Sequence, residues 1–151
     1  MELLDKLSKE TVRILTESGW HPGRKSDITG TSDFLQSKGY RLFPYVADVI
    51  SEFGGIKYSF NRPNGDKDSF HIIPEEAYGD YYEKEDFEEI EMRVNESLIA
   101  IVQSRDDNMM MFMSESGKIF GEIGYYLVKF GEYICEALDT LCLVLQREEI
   151  E

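Results

Sequence analysis

The sequence lacks the features of a membrane or secreted protein. No uninterrupted apolar run approaches the roughly 20 residues that span a bilayer, and 30% of the residues are charged. The N-terminus, MELLDKLSKE, has acidic residues where a signal peptide has a basic and then an apolar stretch. These absences argue against a membrane protein, and we expect a cytoplasmic one.

Cysteine and histidine are also scarce, with two of each in 151 residues. Cys135 and Cys142 lie in one predicted helix, about 10 Å apart at the rise of an α-helix, which is beyond the reach of a disulfide. His21 and His71 stand apart from each other and from the cysteines, so no zinc spacing is present. We therefore expect reduced thiols, no bound metal and no cofactor.

Basic residues are outnumbered, because 16 Lys and Arg face 30 Asp and Glu, and the net charge is −14 at pH 7. This charge opposes binding to phosphate backbones and to anionic lipids. We therefore expect neither a nucleic acid nor a membrane as partner, and a basic protein is the partner that the charge would attract. Apolar residues make up 42% of the chain, too many for a disordered tail. The length predicts a single domain over residues 1–151.

Hydrophobic periodicity predicts both helices and strands. Apolar residues have helical spacing over residues 2–18, 31–38, 44–53 and 132–146. They alternate with polar residues, or form short apolar runs, over residues 56–60, 70–73, 98–102, 109–113 and 118–123. Because short turns join the strands, we expect an α+β domain with a mainly antiparallel sheet. N-terminal helices, an acidic middle helix over residues 74–91 and a C-terminal helix would flank the sheet.

The string GWHPGR at residues 19–24 joins the only tryptophan to two glycines, a proline and an arginine. An exposed Trp20 and Arg24 would suit a binding hot spot. In the alternative interpretation, Trp20 packs in the core and Arg24 pairs with an acid such as Asp27 to fix the loop. Gly54 and Gly55 lack the third glycine and the lysine of a phosphate-binding loop, so they predict a backbone turn.

Residues 75–91 hold nine acidic residues and one lysine, which is more than half of the net charge. Tyr78, Tyr81, Tyr82 and Phe87 are interleaved with these acids. Such a segment suits docking to a basic protein, because charge accelerates encounter and rings anchor the contact. The alternative is a solvated helix whose rings face the core. The residues that we predict to bind the partner are Glu75, Glu76, Asp80, Tyr81, Tyr82, Glu83, Glu85, Asp86, Glu88 and Glu89.

Four features of the chain occur in a characteristic order and spacing. They are GWHPGR with Asp27, EFGG at residues 52–55, MFMSESGKIFG at residues 111–121, and Gly131 with Glu136, Ala137, Leu138 and Leu141. In this ordered set the chain resembles the SUKH superfamily of bacterial toxin-immunity proteins, and in particular its third subgroup. The residues that we assign to its structural motif are Trp20, Pro22, Gly23, Arg24, Asp27, Gly54, Gly55 and Gly117.

The resemblance implies an α+β domain without enzymatic activity that binds directly to a toxin encoded beside it. Such toxins are often nucleases or nucleic-acid deaminases, whose substrate clefts are basic. We therefore expect an immunity protein, or antitoxin, that binds and neutralises a basic, nucleic-acid-targeting toxin. One alternative is a non-catalytic regulatory scaffold of the same superfamily. A third hypothesis, a small hydrolase, would need a pocket that joins His71 to a nucleophile or to two carboxylates.

Overall fold

The computed structural model describes residues 7–79, 82–104, 109–123, 126–143 and 148–150. The first helices and strands are α1 (Lys9–Glu17), α2 (Thr29–Ser37), α3 (Pro44–Phe53), β1 (Lys57–Asn61) and β2 (Lys67–His71). The acidic stretch contains α4 (Pro74–Tyr78), a 3-10 helix (Lys84–Phe87) and α5 (Glu88–Val94). The remaining elements are β3 (Leu98–Ser104), β4 (Met109–Ser114), β5 (Ile119–Ile123), β6 (Tyr126–Gly131), α6 (Ile134–Leu143) and β7 (Glu148–Ile150).

The strands of the described residues form one seven-stranded sheet in chain order, β1-β2-β3-β4-β5-β6-β7. Every neighbouring pair is antiparallel. The predicted α+β class with an antiparallel sheet is therefore confirmed. The strands β6 and β7 were not predicted. Glu149 of β7 lies opposite Val128 of β6, so pairing with a neighbour rather than an apolar pattern of its own makes β7 a strand.

Three predicted helix boundaries differ from the structure. The Ser8 hydroxyl accepts a hydrogen bond from the N–H of Thr11 and caps α1, which therefore begins at Lys9. Residues 2–6 of the predicted first helix lie outside the described residues. The helix α2 begins two residues earlier than predicted, and α6 begins two residues later than predicted; residues 144–146 of the predicted last helix lie outside the described residues. Only α3 has the predicted bounds, with Pro44 in its first turn.

The acidic stretch was predicted to be one helix, but the structure shows three short helical pieces. Gly79 ends α4 with a φ of 55° and a ψ of −149°, a conformation that favours glycine. Glu83 and Asp86 then form a capping box at the start of the 3-10 helix, in which each side chain accepts the other's backbone N–H. Residues 80 and 81 lie outside the described residues. The break turns the acids of α4 and of α5 into separate groups.

The central strands β3 and β4 are covered on both faces, because their side chains are buried at nearly every position. On one face, Phe87 meets Phe112 of β4 edge to face, with 4.9 Å between the ring centroids. On the other face, Met113 lines one cleft together with Val49 of α3 and Ile134 of α6. Phe112 and Met113 are successive residues of a regular strand, so their side chains point to opposite faces. The acidic stretch therefore covers one face, and α3 with α6 covers the other.

Cys135 and Cys142 are both buried in α6 and form no disulfide with each other, as expected. Burial raises the pKa of the Cys142 thiol to about 12, so this thiol stays protonated at neutral pH. Among the residues that the structure describes, no helix is long and apolar enough to cross a membrane.

Candidate functional site

The GWHPGR loop is anchored to the C-terminal end of α3. The Trp20 ring is 1% exposed and stacks on Phe53, with 5.6 Å between the ring centroids. The backbone N–H of Arg24 donates to the Glu52 carboxylate at 3.2 Å, which ties the loop to α3 a second time. The prediction that Trp20 packs in the core is confirmed. A hot-spot role for this ring, which requires exposure, is wrong.

The Arg24 side chain binds backbone rather than an acid. Its Nη1 donates to the carbonyl oxygens of Glu52 and Gly54, at 3.1 and 2.8 Å. These charge-assisted bonds satisfy carbonyls at the end of α3. The predicted pairing of Arg24 with Asp27 is wrong, because the Asp27 carboxylate accepts the hydroxyl and the N–H of Thr29. The hydrogen bonds from Thr29, the first residue of α2, lower the pKa of Asp27.

The other motif residues shape turns. Pro22 and Gly23 are exposed in the loop, and Gly23, Gly55 and Gly117 have positive φ angles. Gly54 has an ordinary φ but no room for a side chain, since a Cβ there would lie 2.5 Å from the carbonyl oxygen of Ile50. These positions hold the loop, the end of α3 and the β4–β5 turn in place.

The acids predicted to bind a partner fall into two groups. Glu75 on α4 is partly buried and accepts a hydrogen bond from the Thr31 hydroxyl, and Glu76 pairs with Lys57 at 3.5 Å. The second group is exposed and extends from the N-cap of the 3-10 helix into α5. We call it the acidic surface, and it comprises Glu83, Glu85, Asp86, Glu88 and Glu89. Asp80 and Tyr81 lie outside the described residues.

Much of the acidic surface carries uncompensated charge. Glu83 pairs with Lys38 at 3.1 Å, and Asp86 caps the 3-10 helix. Within the described residues, the carboxylates of Glu85, Glu88 and Glu89 make no hydrogen bond or ion pair. These three negative charges therefore face solvent, where their field favours the approach of cations.

Two of the rings predicted to anchor a partner lie in the core instead. Tyr78 and Phe87 are 0% and 4% exposed, and they pack edge to face. The register of β3 shifts after Ala100, and the Tyr78 hydroxyl accepts the N–H of Ala100 at that irregularity. Burial raises the pKa of Tyr78. Both rings support the acidic surface from below and cannot contact a partner.

Two other side chains supply apolar area at the acidic surface. Tyr82 is 43% exposed and packs against Phe87 on one side, with 5.5 Å between the centroids. Met92 is 81% exposed and lies one helical turn after Glu88 and Glu89. The prediction included Tyr82 and missed Met92. A helical projection of residues 85–92 would have placed Met92 beside these acids.

A cleft lies on the opposite face of the sheet, between α3, the β4–β5 turn and α6; we call it the α3–α6 cleft. It encloses about 550 Å³. Apolar side chains form its floor, and two tyrosines, Tyr45 and Tyr133, line it and are partly exposed. The sequence analysis missed this cleft because its walls come from segments that are distant in the chain.

His71 lies in a smaller pocket of about 380 Å³ with Glu76 and Gln103. Its Nδ1 accepts the N–H of Ile73 at 3.3 Å, so its Nε2 donates to the Gln103 side-chain oxygen at 3.1 Å. Burial lowers the pKa of His71, which favours the neutral ring. Among the described residues, neither ring nitrogen bonds to a carboxylate or a nucleophile, and no group of three His, Cys, Asp or Glu is placed to hold a metal ion.

The comparison with protein families agrees with the resemblance. The family model of the SUKH-3 immunity proteins matches residues 7–144. This range includes the GWHPGR loop, α3, the acidic surface, the β4–β5 hairpin and α6. The chain matches no curated protein and no solved structure. Because the family model covers most of the chain, the chain belongs to the SUKH-3 family of immunity proteins.

Proposed function

We propose that this immunity protein neutralises a basic, nucleic-acid-targeting toxin by binding it through the acidic surface. Membership of the family supports toxin immunity. The observation that carries the finer proposal is the group of exposed carboxylates at Glu85, Glu88 and Glu89, which make no ion pair with any described residue, on a chain of net charge −14. A bacterial protein with this role protects the cytoplasm in which its toxin would act.

The proposed mechanism is competition for the toxin's basic groups. A toxin that acts on nucleic acid holds phosphates with Lys and Arg side chains. Carboxylates on the acidic surface present the same sign of charge and bind the same side chains. The toxin is then neutralised because the acidic surface occupies its basic substrate cleft. The immunity protein needs no reaction, metal or cofactor of its own.

The packing of α5 suits rapid and lasting association. Arg93 donates to the carbonyl of Ile150, and the Glu91 carboxylate accepts the N–H of Leu98. A surface fixed in this way loses little conformational entropy on binding. Its charges accelerate encounter, and the exposed area of Tyr82 and Met92 provides apolar contact that slows dissociation.

The proposal is tested with a catalytically inactive form of the toxin domain encoded beside the chain. We expect the triple variant Glu85→Lys, Glu88→Lys, Glu89→Lys to lower the association rate constant at least tenfold at low salt and to flatten its salt dependence, because steered association reaches rates 10 to 1000 times above the neutral case. Binding is followed by surface plasmon resonance from low to high salt.

The control reverses three exposed acids outside the acidic surface, Glu10, Glu17 and Asp33. Because Glu10 and Glu17 pair with Arg13 on α1, the melting temperature of the control is measured as well. The control variant has the same net charge as the test variant, so it separates the position of the charges from their sum. We expect it to associate much faster than the test variant. Equal rates for the two variants would contradict a role for the acidic surface itself.

A further inference from the structure

The α3–α6 cleft is a second exposed surface with the character of a protein-binding site. Its floor includes Val49, Phe53, Met113 and Ile134, and all four side chains are buried in the core. The volume of about 550 Å³ lies within the range of sites that enclose a ligand or a side chain. The acidic surface lies on the opposite face of β4, so the two surfaces share no residue.

A fixed tyrosine stands at the edge of this cleft. Tyr45 is 56% exposed, and its ring lies 3.6 Å from the position that a Cβ on Gly117 would occupy. The β4–β5 turn therefore lies beside the ring, at a distance of ordinary van der Waals contact from such a Cβ. Tyr133, at 42% exposure, lines the same cleft. Two tyrosines that lose little entropy on binding are typical of an interface hot spot.

The charges of the cleft indicate what it binds. Asp48 is exposed, and within the described residues its carboxylate makes no hydrogen bond or ion pair. The Arg24 guanidinium is already bound to two backbone carbonyls, which leaves Lys25 as the exposed cation of this wall. An apolar floor with an unpaired carboxylate at its edge is complementary to an apolar side chain that has a basic neighbour.

We infer that the α3–α6 cleft takes one large apolar side chain, aromatic or long aliphatic, from a basic loop of the toxin. The inference rests on the proposed function and adds a contact of a different kind. The acidic surface acts on the rate of association, whereas a side chain held in an apolar cleft acts on the rate of dissociation. Asp48 pairs with the basic neighbour of the inserted side chain and fixes the direction of the loop.

The test measures dissociation of the same inactive toxin domain from variants of the cleft. Tyr45→Ala removes the ring, and Tyr126→Ala is the control, since Tyr126 is 61% exposed and does not line the cleft. We expect Tyr45→Ala to raise the dissociation rate constant about tenfold, the size of a hot-spot loss, with the association rate and its salt dependence unchanged. Tyr45→Phe, which keeps the ring, should dissociate nearly as slowly as the unchanged protein. Asp48→Lys should also accelerate dissociation.

The possible results separate the two proposals. Suppose that Tyr45→Ala and Asp48→Lys keep the melting temperature and dissociate like Tyr126→Ala. This result would contradict the insertion of a toxin side chain into the cleft, while the proposed function would still be tested by the acidic-surface variant. If the unchanged protein does not bind the toxin domain at all, the proposed function and the cleft contact both fail.

Discussion

The indole Nε1 of Trp20 donates a hydrogen bond to Oε2 of Glu52 at 2.8 Å, across 32 positions of the chain. The same carboxylate oxygen accepts the backbone N–H of Arg24. One acid at the end of α3 therefore holds both ends of the loop that follows α1. Because Arg24 and Glu52 line the α3–α6 cleft, this bond also fixes one wall of the cleft.

Trp20→Ala should destabilise the protein by about 3–5 kcal/mol, because it leaves a cavity where a fully buried ring packed. Trp20→Phe keeps an aromatic ring against Phe53 but leaves the Glu52 carboxylate without its indole donor, and it should cost about 1–3 kcal/mol. Urea unfolding measures both values. A loss below about 1 kcal/mol for Trp20→Ala would show that the ring contributes little to the core.

Gly54→Ala should destabilise the protein by about 1–3 kcal/mol, the usual cost of overpacking. The new methyl group would meet the backbone carbonyl of Ile50, which cannot move without distorting α3. Gly30→Ala is the matched control, because a Cβ at Gly30 in α2 has no neighbour within 4 Å. Alanine is the better helix former, so the control should be neutral or stabilising. Thermal melting of the two variants distinguishes a steric effect from a general effect of replacing glycine.

Local sequence signals predicted the elements that carry their own pattern. The helix α3 has a proline at its start, an apolar stripe and a glycine after its last residue, and its bounds were predicted correctly. The acidic stretch is rich in acids, but few of its residues signal the end of a helix. The positive φ of Gly79, which breaks the stretch, depends on the fold. The strand β7 has only three residues, and pairing with β6 makes it a strand.

The sequence predicted which acidic and aromatic residues the candidate site contains, but not which of their side chains are exposed. The charges of Glu85, Glu88 and Glu89 were visible in the sequence, and they are exposed. Whether an interleaved ring faces a partner or the core depends on the contacts beneath it, and Phe87 packs on Phe112 of a distant strand. The α3–α6 cleft carries no sequence signal, because its lining is assembled only by the tertiary fold.

His71 should make the protein less stable in mild acid. Burial lowers the pKa of His71 below its ordinary value of 6.5, with Glu76 favouring the charged ring and Lys57 opposing it. As the pH falls through about 6.5, the unfolded chain binds a proton that the folded chain does not yet bind. The contribution of His71 to the free energy of unfolding therefore decreases from pH 7 towards pH 5.5.

His71→Gln should flatten this part of the pH dependence, as measured by urea unfolding at pH 7.0, 6.0 and 5.5. The control is His21→Gln, which replaces the histidine that is exposed in the GWHPGR loop; the account requires a larger change from His71→Gln than from this control. If His71→Gln and the unchanged protein lose stability in parallel, the titration of His71 does not contribute.

Protection of cells by variants of the acidic surface tests the account most directly. The variant is Glu85→Lys, Glu88→Lys, Glu89→Lys, which leaves Glu83 unchanged because Glu83 caps the 3-10 helix and pairs with Lys38. Surface changes usually shift stability by no more than about 0.5 kcal/mol each. Lysine at Glu88 and Glu89, in the first turn of α5, adds about 0.3–1 kcal/mol each from the helix dipole. Circular dichroism and the melting temperature should still show a folded protein.

The measurement is survival of cells that express the toxin together with this variant or with the control Glu10→Lys, Glu17→Lys, Asp33→Lys. We predict that the acidic-surface variant fails to protect while the control protects. Full protection by a folded acidic-surface variant would show that the acidic surface is only a solvated face and that the toxin binds elsewhere.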